Sequence, residues 1–322
     1  MTAWSPEHAS ERILITPRSI TRDGHPCLNR LTDAGCELVF APAGEKPSEE
    51  DLMRLLPGCV AMLAGVETIS ANVLEAADRL RVIARNGVGV DNIDLAAAER
   101  LSIKVCRAVG ANARGVAELT IGLTLALARF IPFSDCCLKS GRWERRKGFE
   151  LAGKTMGIVG CGCIGRQVAG LAMGLGMRVA AFDPAPDASF RPGGKFAYTG
   201  FSQVLAQPDV ISLHCPAPRE DKPLIDAAAL AAMKPGAVIV NTARPELLDD
   251  EAVLGALETG RLAGVAMDVH RQEPPNNSRL VGHDRVIATP HIGGYTDESV
   301  DRAVGMAVEA ILENLSGTLR KE

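Results

Sequence analysis

The fold class predicted by this sequence is α/β, with two doubly wound parallel sheets in one chain. Three observations predict it. Short β-branched apolar runs alternate with longer helical stretches, the pattern of parallel strands buried by helices on both faces. The alternation pauses at one long helix and restarts, giving five strands and then six. The chain has 322 residues, enough for two domains at roughly 150 residues each.

In chain order, the first series has strands at Ile13–Thr16, Glu37–Phe40, Val60–Leu63, Val82–Arg85 and Lys104–Cys106, with helical stretches such as Glu49–Leu56 and Ala71–Ala77 between them. A helix over Ala113–Arg129 follows, with Asn112 as its expected N-cap. It is apolar on more than one side, so it is expected to lie buried between domains or subunits. The second series has strands at Thr155–Val159, Arg178–Phe182, Val210–His214, Ala237–Asn241, Gly264–Val269 and Val286–Thr289, and a last helix covers Asp297–Leu315. The seams fall near Ala108–Asn112 and His291–Thr296. The expected division is a smaller domain of residues 1–107 plus 293–322, with a larger domain of 108–292 inserted into it. Two crossings of the chain would then flank one cleft, a common place for a ligand.

Composition narrows the function classes. Hydrophobic residues are 47%, charged residues 23% and net charge −4, which excludes disorder as the main state and argues against nucleic-acid binding. Aromatic residues are only 4%, too few for base-stacking platforms. The longest apolar stretch, Leu119 to Ala128, ends at Arg129 and is too short for a membrane span. Pro6, Glu7 and Glu11 interrupt the first twelve residues, so no secretory signal is expected. The nine cysteines contain no C-x-x-C pair. No metal site is expected, and a cytoplasmic protein with reduced thiols is.

Gly160-Cys161-Gly162-Cys163-Ile164-Gly165 is a G-x-G-x-x-G. Its context gives it weight, because a strand precedes it, a helix follows it, and Asp183 ends the next strand. Gly160 permits the tight turn, Gly162 admits a pyrophosphate, and Gly165 lets helix and strand pack closely. The helix N-terminus then offers N–H groups and a favourable dipole to the phosphates. A carboxylate at Asp183 suits ribose hydroxyls and repels a 2′-phosphate, so NAD is expected over NADP. This makes the larger domain a Rossmann domain and the smaller one flavodoxin-like. The bland alternative is a plain glycine turn. Gly87-Val88-Gly89-Val90-Asp91-Asn92 lacks the third glycine and the downstream acid and is rejected as a dinucleotide site. Cys161 and Cys163 read as small turn residues, with a redox role as the alternative.

Three patches follow the last strands: Asn241-Thr242-Ala243-Arg244, Met267-Asp268-Val269-His270-Arg271-Gln272-Glu273-Pro274, and Thr289-Pro290-His291-Ile292-Gly293-Gly294. An open α/β sheet binds ligands at such strand ends. Moving a hydride from an alcohol to NAD needs a base for the hydroxyl proton, and His291 suits it. Glu273 is the candidate carboxylate to orient and charge the ring. Arg244 is the candidate guanidinium for a substrate carboxylate. Each has an ordinary structural alternative, as a hydrogen-bonding histidine, a surface acid and a surface cation.

These motifs, together with Arg85-Asn86-Gly87-Val88-Gly89-Val90-Asp91-Asn92-Ile93-Asp94 and Ala111-Asn112-Ala113-Arg114-Gly115-Val116-Ala117-Glu118-Leu119, resemble the D-isomer-specific 2-hydroxyacid dehydrogenase family, especially its phosphoglycerate dehydrogenase branch. The resemblance runs from about Leu80 to Asn314. It implies Arg244, Glu273 and His291 as the catalytic set. It also implies Cys163 and Ile164 at the dinucleotide phosphates and Asp183 at the ribose, with Cys215, Thr242, Ala243 and Asp268 lining the rest of the cofactor site beside the Gly293-Gly294 turn. Asn86, Gly87 and Val88 would receive the substrate carboxylate through their backbone. Arg85 and the basic run Arg142-Trp143-Glu144-Arg145-Arg146-Lys147 point to an anionic substrate, and Arg145 would reach a neighbouring subunit's substrate. The alternative for that run is a solvated charged loop. The family implies a homodimer formed through the NAD domain.

The chain departs from the family pattern in places. Pro245 and Glu246 follow Arg244 where two glycines are usual, His270 replaces a usual phenylalanine, and Ala217, Pro218 and Arg219 replace a threonine-rich loop. The regulatory extension of longer phosphoglycerate dehydrogenases is not expected. The expected activity is NAD-dependent interconversion of a small D-2-hydroxy acid and its 2-oxo acid. The alternatives are a glyoxylate or hydroxypyruvate reductase, and a non-catalytic NAD-sensing scaffold on the same fold.

Overall fold

The computed structural model describes residues 11–218, 222–276 and 278–316; Arg219 lies outside them. The chain forms two compact units. The first is Met1–Asn112 with Asp297–Glu322, and the second is Ala113–Thr296.

The first unit holds a five-stranded sheet of β1 (Arg12–Ile15), β2 (Glu37–Phe40), β3 (Cys59–Ala64), β4 (Val82–Arg85) and β5 (Lys104–Arg107), in the order β2-β1-β3-β4-β5. Every pairing in it is parallel. Strand β3 is buried along its whole length, as its unbroken apolar run requires when helices cover both faces. The edge strands β2 and β5 carry Glu37, Lys104 and Arg107 at exposed positions, which discourages pairing with another chain. Ser48, Ser70 and Asp94 cap the N-termini of three of the helices. The last helix, Asp297–Ser316, packs Val304, Val308 and Ile311 onto Ile13, Ile15 and Val82.

The second unit holds a seven-stranded parallel sheet: β6 (Thr155–Val159), β7 (Arg178–Phe182), β8 (Phe196–Tyr198), β9 (Val210–Leu213), β10 (Ala237–Asn241), β11 (Leu262–Met267) and β12 (Val286–Ala288). The order is β12-β11-β10-β9-β6-β7-β8. Seven strands replace the expected six. The extra one, β8, is a three-residue edge strand, too short to show as an alternating run. It is held by edge-to-face contacts between Phe190 and Phe196 at 5.2 Å and between Phe196 and Tyr198 at 5.0 Å.

One local expectation changes, the cap of the long helix. The helix Ala113–Arg129 buries ten of its residues, and Ala117, Leu123 and Leu127 pack with Val168, Ala169 and the sheet residues Met156 and Val240 of its own unit. Part of its apolar surface is therefore used within that unit, while Leu125 stays 37% exposed. The Asn112 side-chain oxygen is buried with no hydrogen-bond partner among the described residues, so the expected cap is not made. The units divide at the C-terminal ends of the expected seams, after Asn112 and after Thr296, a few residues beyond the expected domain bounds. Residues 108–112 stay with the first sheet because Ala108 N–H donates to Gly87 O at 2.9 Å and Arg302 Nε donates to Ala111 O at 2.8 Å.

Candidate active site

The seven-stranded sheet reverses its winding between β6 and β9, and an α/β sheet binds its ligand at the carboxyl ends of the strands flanking such a point. The glycine loop lies there. Gly160 follows β6 with φ +92°, and a Cβ on it would stand 2.6 Å from the His214 carbonyl that follows β9. A Cβ on Gly165 would stand 2.2 Å from Gly160 O. Only glycine fits either place. Gly162 has open space around it and provides no side-chain cap for the helix Cys163–Gly174. A pyrophosphate therefore has room to reach the N–H groups of that helix's first turn.

Asp183 closes the ribose side. Its Oδ2 accepts from Cys161 N–H at 2.8 Å and its Oδ1 from Ala185 N–H at 2.9 Å, so the carboxylate is fixed before any ligand arrives. Arg166 joins the same assembly. It donates to Cys161 O at 3.1 Å, pairs with Asp187 at 2.8 Å and lies over the Phe190 ring at 5.5 Å. Sequence reasoning missed Arg166, since its position four residues into a helix carries no motif. Cys163 is exposed and Ile164 half-buried. Burial raises the Cys161 thiol and pushes Cys215 up to about 11, so both thiols stay protonated at neutral pH. These features fit an NAD cradle.

The strand ends beyond β10, β11 and β12 bring the remaining patches of this unit into place. His291 Nδ1 lies 2.8 Å from Glu273 Oε1. His291 has φ +55°, and its N–H donates to Thr289 O at 2.9 Å across Pro290. Asp268 holds that turn. It is 1% exposed; Oδ1 accepts from Thr289 Oγ1 at 2.6 Å and Ile292 N–H at 2.8 Å, and Oδ2 accepts from Gly293 N–H at 2.8 Å. A Cβ on Gly293 would meet Asp268 Oδ2 at 2.9 Å, so the turn needs glycine there. Gly294 follows half-buried. His270 is buried, and its Nε2 lies 2.9 Å from Thr289 O.

Arg244 is shaped by a residue to which the sequence assigned no role. Asn241 is fully buried; its Oδ1 accepts from Ala243 N–H at 3.0 Å and its Nδ2 donates to Arg244 O at 2.8 Å. The Arg244 guanidinium donates to Ala243 O at 2.7 Å. Thr242 shares a hydroxyl contact of 3.0 Å with Thr120. Pro245 opens a short 3-10 turn with Glu246 exposed, so the missing glycines are replaced by a stiffer exit from the loop.

The expected anion-binding residues fare differently. In the first unit, Asn86 N–H donates to Ala64 O and Gly87 N–H to Arg85 O, both at 2.8 Å. Of the three expected amides, Val88 N–H alone has no partner among the described residues. Arg85 folds onto its own loop, with Nη1 2.6 Å from Asn86 O. In the basic run of the second unit, Arg142 pairs with Glu144 at 2.7 Å and Arg146 stacks on Phe133 at 3.5 Å. Arg145 is exposed, and Trp143 beside it is 81% exposed.

Comparison with known proteins adds the family. Residues 121–293 match the model of the D-isomer specific 2-hydroxyacid dehydrogenase NAD binding domain. The chain is 38% identical over 277 residues to the hydroxypyruvate reductase of Thermotoga maritima, covering 84% of this chain and 90% of that one. It is 39% identical over 274 residues to the D-3-phosphoglycerate dehydrogenase of Methanocaldococcus jannaschii, covering 84% of this chain. It spans about half (52%) of that relative's length. A crystal structure of a protein from Thermus thermophilus superposes with a TM-score of 0.86 at 34% identity, covering 95% of this chain and 97% of the other. The chain thus belongs to the D-isomer specific 2-hydroxyacid dehydrogenase family and is an NAD-dependent oxidoreductase.

Proposed function

We propose that this protein interconverts a small D-2-hydroxy acid and its 2-oxo acid, with His291 as the acid/base, Glu273 as its partner and Arg244 as the substrate's anchor. The observation that carries this is the 2.8 Å contact between His291 Nδ1 and Glu273 Oε1. It engages Nδ1 and leaves Nε2 without a partner among the described residues. The carboxylate orients the ring and fixes which nitrogen faces the substrate.

Bound NAD supplies the two-electron acceptor or donor for the reaction. Gly160, Gly162, Cys163, Ile164, Gly165 and Asp183 are assigned to its pyrophosphate and ribose, and Cys215, Thr242, Ala243, Asp268, Gly293 and Gly294 to the remainder. His291 takes the hydroxyl proton during oxidation and returns it to the carbonyl oxygen during reduction. Arg244 offers a planar pair of N–H donors to the substrate carboxylate. The Asn86–Val88 loop remains a second carboxylate candidate, through Val88 N–H. Arg85 and Arg145 are retained only as candidate anion contacts.

A homodimer through the NAD-binding unit is part of this reading. Ile131, Leu138 and Trp143 of that unit are 53%, 59% and 81% exposed, and apolar side chains left in solvent along one short stretch suit burial by a second copy. The nine free cysteines support a reducing, cytoplasmic setting.

The test is to measure NADH formation and NAD binding side by side for His291→Ala and Arg244→Ala. Both substitutions should abolish turnover and leave NAD affinity within about threefold of the parent. Turnover surviving in either would reject the assigned roles.

A further inference from the structure

Both peptides of Cys161, the residue between the first two glycines of the loop, are held by charged side chains. Cys161 is 2% exposed, and its N–H donates to Asp183 Oδ2 at 2.8 Å. That bond fixes the peptide before it. The peptide after it ends at Gly162, where the missing side chain leaves the plane free to swing. A Cβ on Gly162 would meet nothing within 4 Å, so no neighbour stops that motion.

Arg166 does. It is the fourth residue of the helix Cys163–Gly174, and helical side chains lean back toward the N-terminus. Its Nε donates to Cys161 O at 3.1 Å. The guanidinium is steadied by the loop after β7, where Nη1 pairs with Asp187 Oδ2 at 2.8 Å and the group lies over the Phe190 ring at 5.5 Å. Asp187 is itself set, because its Oδ1 accepts from Ser189 N–H at 2.9 Å and from Ser189 Oγ at 2.6 Å.

The Cys161–Gly162 peptide is trans, so its C=O and N–H point in opposite directions. With the carbonyl drawn to Arg166, the Gly162 N–H faces the other way and has no partner among the described residues. It joins the uncapped N–H groups of the helix's first turn. A cationic donor on the carbonyl also polarises the peptide and strengthens its N–H. A plane turned over would present a carbonyl oxygen, which repels a pyrophosphate.

We propose that Arg166 is a positioning residue of the dinucleotide site, which locks the Cys161–Gly162 peptide through Cys161 O and so presents the Gly162 N–H to the pyrophosphate of NAD. The donor that matters is Nε. The Arg166 and Asp187 side chains are 38% and 33% exposed, so their pair steadies the guanidinium and adds little attraction of its own.

Isothermal titration with NAD and with ADP-ribose, which lacks the nicotinamide, tests this in the parent and three variants of the full chain. Arg166→Gln puts an amide nitrogen where Nε stands and drops the charge. Arg166→Lys keeps the charge and the reach to Asp187 but has a methylene where Nε stands. Arg166→Met keeps the stem alone. Arg166→Gln should bind both ligands within about threefold of the parent, and Arg166→Lys and Arg166→Met should bind both about tenfold more weakly. Melting temperatures without ligand should not follow that order. If Arg166→Met does not fold, the order of Arg166→Gln and Arg166→Lys decides. Parental affinity in Arg166→Lys with a loss in Arg166→Gln would make the charge the agent and overturn the proposal. Parental affinity in all three variants, an equal loss in all three, a loss with NAD but not with ADP-ribose, or a loss that tracks the melting temperature would also overturn it.

Discussion

At the scale of single residues, the site depends on buried polar groups that hold its exposed ones. His291 and Glu273 have side chains 52% and 44% exposed, so their pairing in solution owes more to the turn beneath them than to mutual attraction. Asp268 makes that turn, with three donors on one carboxylate. Asp268→Asn replaces an acceptor with an amide and strands at least one buried N–H, at a cost of about 1–3 kcal/mol. Urea unfolding should show that loss, and kcat should fall with it as His291 shifts. Unchanged stability and unchanged kcat together would refute this role. His214 gives a pH prediction. Its residue keeps some exposed surface, but Nδ1 is buried, and burial pushes the ring down to about 3. The unfolded chain binds that proton below its ordinary pKa of about 6.5, so U carries more protons than N between the two values. Stability from this group is therefore full above about pH 6.5 and falls as pH drops towards 3, by about 2 kcal/mol already at pH 5. His214→Asn should lose less stability than the parent between pH 7 and pH 5, and equal losses would contradict the assignment.

At the scale of elements, the glycine loop was legible because each glycine answers a separate steric demand. Gly160 and Gly165 have backbone within 2.6 Å and 2.2 Å of where a Cβ would stand, whereas Gly170 on the same helix has open space. Gly165→Ala should weaken NAD binding at least tenfold and destabilise the fold by about 1–3 kcal/mol, as overpacking does. Gly170→Ala should stabilise it by about 0.5–1 kcal/mol through helix propensity. Calorimetric titration and thermal melts of the two variants check both, and equal effects would remove the steric account. The strands with long β-branched runs were legible for a similar reason, since burial on both faces leaves an unbroken apolar signature. Strand β8 was not, because three residues on an edge are too few to show a period, and their aromatic contacts leave no mark in the alternation. Asn241 and Arg166 were silent too. Their roles arise from hydrogen bonds to neighbouring loops, and no periodicity or spacing marks such bonds. The Asn86–Val88 loop was found by its motif, but the use of two of its three amides within the protein became visible only in the backbone.

At the scale of the whole molecule, the account joins two units with separate chemical duties. The second unit carries the dinucleotide cradle and the proposed Arg244, Glu273 and His291 set on one sheet, and the first carries the Asn86–Val88 loop. The exposed apolar residues of the second unit predict self-association. Light scattering should give twice the chain mass for the parent, and Leu138→Asp should shift it to the monomer; a monomeric parent would contradict the dimer. The central claim is that His291 performs acid/base chemistry on a D-2-hydroxy acid with NAD. The measurement that tests it most directly is NADH production from D- and L-glycerate by the parent protein and by His291→Asn. The account predicts turnover of the D form alone, and a fall of at least about 100-fold in His291→Asn, the usual scale for loss of a general acid/base. Equal use of both enantiomers, or near-parental turnover in His291→Asn, would contradict it.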